Sequence, residues 1–313
     1  MKKISIVTAC YNEIDNIEEL VNSIRTIFIE KIQNYTFEHI IIDNASNDGT
    51  KEVLRNLASK YKELKIIFNT RNFGHIQSPH HARMQATGDA IINIAADFQD
   101  PPELIIEFIK NWENGNKIVI GIKKKESDEG LIMKTIRGLY YSLVKKISNI
   151  EMHENFSSYC LIDQIVLKDI RKINDSYPYF RGLLSSLGYK PIKIYYKKNL
   201  RKKGVSKNNL YTLYDVGVLG ITSYSKIPLR LCILVGFTLM VLTLTTGIFY
   251  FIYKLLFWES LFAGIAPLII LFTFLFSFVL LFLGVIGEYL ILILSKINTV
   301  PVIEEERLNF NNE

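Results

Sequence analysis

The sequence predicts an α/β domain built on a mostly parallel sheet, followed by a helical hairpin that spans a membrane. Three observations predict it. Short apolar runs alternate with longer amphipathic stretches up to about residue 200, the pattern of strands and helices that cover both faces of a sheet. Hydrophobic residues make up 49% of the chain and charged ones 22%, with a mean hydropathy of +0.17, so the two kinds must be segregated along it. Two long apolar stretches then follow Pro228. At 313 residues there is room for more than one compact unit. The composition excludes a disordered or collagen-like chain.

The strands are expected at Ile4–Ala9, His39–Asp43, Lys65–Asn69, Ala90–Ala95 and Lys117–Gly121, and the helices at Ile14–Ile29, Thr50–Tyr61, Gln77–Ala86 and Pro102–Asn114. Ile4 to Cys10 is too short for a signal-peptide core and lacks a small-residue cleavage pattern, so it reads as a buried first strand that stays in the cytosol. The three cysteines, Cys10, Cys160 and Cys232, have no C-x-x-C spacing, which speaks against a disulfide framework or a zinc site. Asp43 and Asp97 fall at the carboxyl ends of their strands, the edge where open α/β sheets bind ligands.

Leu231 to Tyr253 contains no charged residue. At 1.5 Å per residue it is long enough to cross a hydrocarbon core of about 30 Å. Ala266 to Leu294, apolar apart from Glu288, is long enough to cross again. Arg201, Lys202, Lys203, Lys207, Lys226 and Arg230 precede the first span, whereas the connecting loop has one Lys offset by one Glu. The positive side is cytoplasmic, so the α/β domain and both termini are expected to face the cytosol of a multi-pass protein in the plasma (inner) membrane. Leu131 to Ile147 and, more weakly, Tyr211 to Tyr224 have the amphipathic pattern of helices that lie on a bilayer, with packing against the sheet as the alternative. The expected divisions are 1–207 for the cytosolic domain, 208–230 for a juxtamembrane segment, 231–294 for the two spans and 295–313 for a cytosolic tail. The net charge of +6 could serve phosphate, anionic lipid or nucleic acid. Its clustering beside hydrophobic spans argues against nucleic acid.

Three segments carry the chemistry. Thr8-Ala9-Cys10-Tyr11-Asn12-Glu13 is a strand running into a polar turn, and Ile41-Ile42-Asp43-Asn44 continues into Ala45-Ser46-Asn47-Asp48-Gly49-Thr50, a tight turn. An acid at a strand end can bond a base or ribose, and a helix start offers free N–H groups to anions. Asn47 to Thr50 would serve equally as a turn and helix cap. Ala95-Ala96-Asp97-Phe98-Gln99-Asp100-Pro101-Pro102-Glu103-Leu104 ends a strand in closely spaced oxygen ligands, the type that a hard divalent cation on a diphosphate requires. Asp100 is placed to cap the next helix. His75, His80 and His81 match no standard zinc spacing.

Together and in this order, the three segments resemble the family 2 glycosyltransferases of the GT-A fold, and more closely the polyprenyl-phosphate glycosyltransferases related to dolichyl-phosphate mannose synthase. The resemblance extends over Arg71-Asn72-Phe73-Gly74-His75, Phe180-Arg181-Gly182-Leu183, the stretch from Arg201 to Lys207, Pro228-Leu229-Arg230-Leu231, and the stretch from Gly284 to Leu290. It implies a Rossmann-like GT-A domain with a C-terminal transmembrane hairpin. By the same resemblance Ala9, Tyr11, Glu13, Asp43, Asn72 and Gly74 hold a nucleotide sugar, a UDP-sugar first among the choices. Asp97 and Gln99 coordinate Mg²⁺ or Mn²⁺ on its diphosphate. Lys123, Arg181, Arg201, Lys203, Ser206 and Lys207 gather the acceptor phosphate, with Asp97, Arg201 and Lys207 central to catalysis. A homo-oligomer is also implied.

The sequence departs from the family pattern at three carboxylates: Ala95 replaces the first acid of the metal motif, Ser158 that of a Gly-Asp-Phe segment, and Asn44 the second of an Asp-Asp pair. A sugar hydroxyl needs a base to take its proton, but a lipid monophosphate has a second pKa of about 6 and is mostly ionised at neutral pH. Loss of a base therefore does not preclude transfer to phosphate. The function expected is inverting transfer of one sugar from a nucleotide donor to polyprenyl (undecaprenyl) phosphate at the cytoplasmic membrane face. The alternatives are an inactive sugar-nucleotide-binding scaffold, prompted by Ala95 and Ser158, and a processive polysaccharide synthase. Against the latter stand only two spans and no Gln-x-x-Arg-Trp sequence.

Overall fold

The computed structural model describes residues 1–124, 151, 153–173, 175, 177–199, 210–257, 265–297 and 300–310. Strands β1 (Lys2–Cys10), β2 (Tyr35–Asp43), β3 (Leu64–Asn69) and β4 (Ala90–Asn93) alternate with helices α1 (Ile14–Thr26), α2 (Thr50–Lys60) and α3 (Gly74–Met84). Then come α4 (Leu104–Glu113), β5 (Ile118–Lys123), β6 (Phe156–Asp163), α5 (Gln164–Ile173), α6 (Phe180–Ser186) and β7 (Ile192–Tyr196). Helices α7 (Leu210–Tyr224), α8 (Ile227–Leu256) and α9 (Ile265–Ile297) precede a last strand, β8 (Glu304–Leu308). A π-helical turn, Ile27–Lys31, extends α1 through the residues at which the sequence pattern ends.

The strands form one sheet in the order β7-β5-β6-β4-β1-β2-β3-β8. Its centre is parallel, β1 pairing with both β2 and β4, while β6 runs antiparallel between β4 and β5. Alternate side chains point to opposite faces. Ile6, Ile41, Ile66, Ile92 and Leu161 meet α1, α2 and α4 on one face. Ile40, Ile42, Ile67, Ile91 and Ile162 meet α3, α5 and α6 on the other. Many of these isoleucines are fully buried, each contributing roughly 1.5–3 kcal/mol of transfer free energy.

Strands β6, β7 and β8 are not among the five expected from sequence. In β8, Glu304-Glu305-Glu306-Arg307-Leu308 has almost no apolar residues. It forms because the edge of β3 offers unpaired backbone groups, with Glu305 and Glu306 held by Lys51 and Arg55 of α2. The tail beyond the hairpin thus becomes part of the catalytic sheet.

Helices α8 and α9 contain apolar segments, Ile227–Tyr253 and Phe274–Ile297, long enough to cross a membrane. They are not a buried core pair: Ile233 and Phe249 are each 71% exposed. Since α7 leads into the first span and β8 returns to the sheet that β1 begins, both ends of the hairpin lie on the catalytic domain's side. The expected interfacial helix over residues 131–147 lies outside the described residues, while the second stretch, Tyr211 to Tyr224, is helical as part of α7.

Candidate functional site

Strands β1 and β4 are neighbours, and the chain leaves them in opposite directions across the sheet, β1 toward β2 and β4 toward β6. A crevice opens at the carboxyl ends of strands where the order reverses in this way. Ala9, at the end of β1, and Asp97, after β4, stand at that crevice. The turns around it are locked together. Asn12 N–H donates to Ser46 Oγ at 2.8 Å, Glu13 N–H to Thr50 Oγ1 at 3.0 Å and Ile14 N–H to Asp48 Oδ2 at 3.2 Å. Asn47 N–H returns a bond to Asn12 Oδ1 at 2.9 Å. Asn12 and Ala45 adopt positive φ, 55° and 61°, to make these turns. Tyr11 and Glu13 are half-buried beside them.

Asp43 is fully buried. Its Oδ2 accepts from Ser46 N–H at 2.9 Å, and burial pushes its pKa above the usual carboxylate value. The next residue explains one departure from the family pattern. Asn44 Oδ1 accepts from Asn69 Nδ2 at 3.0 Å and Phe73 N–H at 2.9 Å. Its Nδ2 donates to Asn72 Oδ1 at 2.7 Å and Gly74 O at 3.3 Å. An amide satisfies both demands, and a carboxylate could not donate. Asn72 also accepts from Gly74 N–H at 2.8 Å, and Gly74 takes φ +81°, conformational freedom that glycine has at no steric cost. Asn72 and Gly74, two of the six residues expected at the donor, therefore form the rim loop itself.

Beyond β4, Asp97 and Gln99 are half-buried while Ala95 is exposed. Asp97 Oδ1 accepts from Gln99 N–H at 3.2 Å across the turn at Phe98, whose φ is +57°. Among the described residues no three His, Cys, Asp or Glu side chains converge into a metal cage. This donor set fits a cation that brings most of its ligands with it: Mg²⁺ sites on phosphates use one or two carboxylates, phosphate oxygens and water. Asp100 does not cap α4. Instead it is buried under a network in which Tyr196 OH donates to Oδ1 at 2.5 Å, Lys123 Nζ lies 3.1 Å from the same oxygen and Ser157 Oγ 3.5 Å. Burial and the Asp100 charge push the Tyr196 phenol far up. This network brings Lys123, expected at the acceptor phosphate, onto a carboxylate 23 positions earlier in the chain. No local pattern announces that pairing.

On the other face of the sheet a pocket is lined by His75, Arg83, Ser158, Tyr179, Phe180 and Arg181, among others. Ser158 sits at φ +76° beside a register shift between β5 and β6. Arg181 donates to Phe156 O at 3.1 Å. Helix α7 packs on α6: a Cβ on Gly182 would come within 2.3 Å of the Tyr224 ring. Helix α7 is also tied to the apolar hairpin. Tyr214 OH donates to Glu288 Oε1 at 2.7 Å, and Tyr289 OH donates at 2.6 Å to the carbonyl of Ser225, the residue after the helix; Lys296 of the hairpin also pairs at 2.7 Å with Asp175, between α5 and α6. Glu288, interrupting an apolar span, thereby has a protein partner. Arg201, Lys203, Ser206 and Lys207 lie outside the described residues. Arg83 was not among the expected site residues; a basic residue within a short helix gives no sign of its burial.

Residues 5–171 match the model of Glycosyl transferase family 2. The chain belongs to that family. A glycosyltransferase of Bacillus subtilis (strain 168), YkcC, whose function is uncharacterised, is 32% identical over 289 residues, covering 91% of this chain and 88% of its own. The bactoprenol glucosyl transferase of Shigella phage SfV is 29% identical over 307 residues, covering 97% of this chain and 99% of its own. Among solved structures, residues 1–349 of S. aureus TarS in complex with UDP-GlcNAc superpose with a TM-score of 0.45 at 19% identity, covering 71% of this chain and 67% of that one. The glycosyltransferase described here has the mixed, mostly parallel sheet expected of the GT-A fold.

Proposed function

We propose that this glycosyltransferase moves one sugar from a nucleotide sugar to polyprenyl phosphate at the cytoplasmic face of the plasma membrane. One observation supports this reading above the others: helix α7, whose Tyr224 packs on Tyr179 and Gly182 beside the pocket, is bonded to the apolar hairpin through Tyr214–Glu288, and Ser225 just after it through Tyr289. A long isoprenoid can then lie along the hairpin while its head group reaches the rim. The relative from Shigella phage SfV is named for a bactoprenol acceptor.

In this proposal the loops at Tyr11–Glu13 and Asp43–Thr50 hold the nucleoside, with Asn72 and Gly74 shaping the adjoining wall. Asp97 and Gln99 would hold a divalent cation, Mg²⁺ or Mn²⁺, which supplies charge neutralisation at the donor diphosphate. Arg201, Lys203, Ser206 and Lys207, with Arg181, gather the acceptor phosphate. A phosphate oxygen forms the new bond to the anomeric carbon, and the bond to the nucleoside diphosphate breaks with its electron pair on the departing oxygen. Because the attacking phosphate is already ionised, no side chain need take a proton, which accommodates Ser158 in place of an acid.

The test is incubation of the purified full chain with undecaprenyl phosphate, divalent metal and a panel of radiolabelled nucleotide sugars, followed by lipid extraction. A labelled lipid is expected with one donor and none from Asp97→Ala protein. Absence of labelled lipid from every donor sinks the proposal, and full activity in Asp97→Ala removes the metal assignment.

A further inference from the structure

The second departure, Ser158, adjoins an unusual charge. Arg83 is only 6% exposed, and among the described residues no carboxylate forms an ion pair with it. Its Nε has no hydrogen-bond partner, and its Nη1 lies 3.5 Å from His80 Nδ1, a long and weak contact. The guanidinium stacks 3.9 Å from the centre of the Phe180 ring. Burial draws its pKa down to about 10, which leaves it charged at neutral pH. The nearby Cys160 thiol cannot serve as counter-ion, since burial pushes it up to about 12. Asp175 acts electrostatically on His80 but is bonded to Lys296.

A buried cation without an anion is strongly unfavourable, and native proteins pair such groups. Arg83 opens onto the pocket that also receives Arg181, His75 and the neutral Ser158. Arg181 and His75 reach it from the more accessible side, half-buried and exposed respectively, while Arg83 and Phe180 are buried. Among the described residues two guanidinium groups and no carboxylate line the pocket, with Asp215 of α7 acting on His75 from outside it; the pocket is complementary to an oxyanion, and arginine's planar fork suits phosphate.

We propose that Arg83, with Arg181 and Ser158, binds the monophosphate head group of the lipid acceptor. The lipid is favoured as the source because α7, bonded to the hairpin, packs through Tyr224 on Tyr179, which lines this pocket. This deepens the proposed function and rests on it for the identity of the lipid.

The test measures equilibrium binding of undecaprenyl phosphate to the full chain in phosphatidylcholine nanodiscs without donor, with undecaprenol and inorganic phosphate as comparison ligands. Replacing Arg83 by Met (R83M) is expected to weaken undecaprenyl phosphate binding by about tenfold or more, to leave undecaprenol binding unchanged, and to leave the unliganded melting temperature equal or higher. A purely structural arginine would behave in the opposite way: R83M would melt lower with its affinity for the phosphorylated lipid intact, and that result overturns the proposal. Ser158→Asp supplies a built-in counter-ion and is expected to abolish phosphate and lipid-phosphate binding while UDP still binds. Should R83M fail to fold, unchanged lipid affinity in Ser158→Asp overturns the proposal. Inorganic phosphate held through Arg83 that undecaprenyl phosphate cannot displace would overturn the lipid as its source. Because no sugar is transferred in this assay, a failed transfer reaction leaves its outcome intact.

Discussion

Restoring the missing acid after Asp43 should damage the site it would restore in other relatives. In Asn44→Asp, the two acceptor bonds from Asn69 Nδ2 and Phe73 N–H can persist. The two donor bonds, to Asn72 Oδ1 and Gly74 O, are lost. Each leaves an oxygen facing a new carboxylate oxygen rather than a hydrogen, within a site where Asn44 is only 7% exposed. A buried polar atom deprived of its partner costs about 1–3 kcal/mol, so roughly 2–5 kcal/mol is expected for the pair after partial relaxation. The new charge would also stand beside Asp43, whose pKa burial already raises, and two adjacent buried carboxylates resist joint ionisation. The effect should concentrate on the loop from Arg71 to Gly74. Thermal unfolding of the detergent-solubilised chain should show a lower midpoint, and UDP titration a weaker affinity. Hydrogen exchange should report faster opening at Phe73. A variant that melts no lower than the parent and binds UDP more tightly would refute the reasoning, because Asn44 would then be an attenuated catalytic acid rather than the donor that holds the loop.

Acid should destabilise the domain in a defined window. Burial holds His39 neutral down to about 3, whereas an unfolded histidine protonates near pH 6.5; stability is full above about 6.5 and falls as pH drops toward about 3. His39→Asn should flatten that part of a denaturation-midpoint profile. For Glu38, burial opposes ionisation but bonds from Lys3, Ser5, Thr87 and Lys65 outweigh it and hold the carboxyl at about 2; its contribution is present above about 4.5 and lost as pH falls through about 2. Gly182→Ala forces a Cβ to within 2.3 Å of the Tyr224 ring. Overpacking of this kind costs about 1–3 kcal/mol, and the displaced α7 should raise KM for the lipid acceptor while UDP affinity stays unchanged. Asn309 Nδ2 faces the carbonyls of Ala58, Tyr61 and Leu64 at 2.8–3.2 Å. Asn309→Ala should cost about 1–3 kcal/mol and speed hydrogen exchange along β3; unaltered exchange there would show that β8 does not secure the sheet edge.

What the sequence determined by itself was whatever local pattern can encode. The short apolar runs at Ile4–Ala9 and His39–Asp43 marked parallel strands, because a strand buried on both faces must be almost continuously apolar. The uncharged run from Leu231 marked a helix long and apolar enough to cross a membrane for an equally local reason, the length of hydrocarbon to be crossed. Ordered motifs around Tyr11, Asp43 and Asp97 pointed to the sheet rim and to the family. Partnership was decided only by tertiary structure. Asp100, expected at a helix start, lies under Tyr196 and Lys123; Asn44 is the donor in a network of rim amides; and the polar segment Glu304–Leu308 becomes a strand because β3 has an open edge. Arg83 is the sharpest case. Sequence records a positive charge in a helix, but burial and the lack, among the described residues, of a carboxylate paired with it, which turn that charge into a demand for an anion, are properties of packing alone.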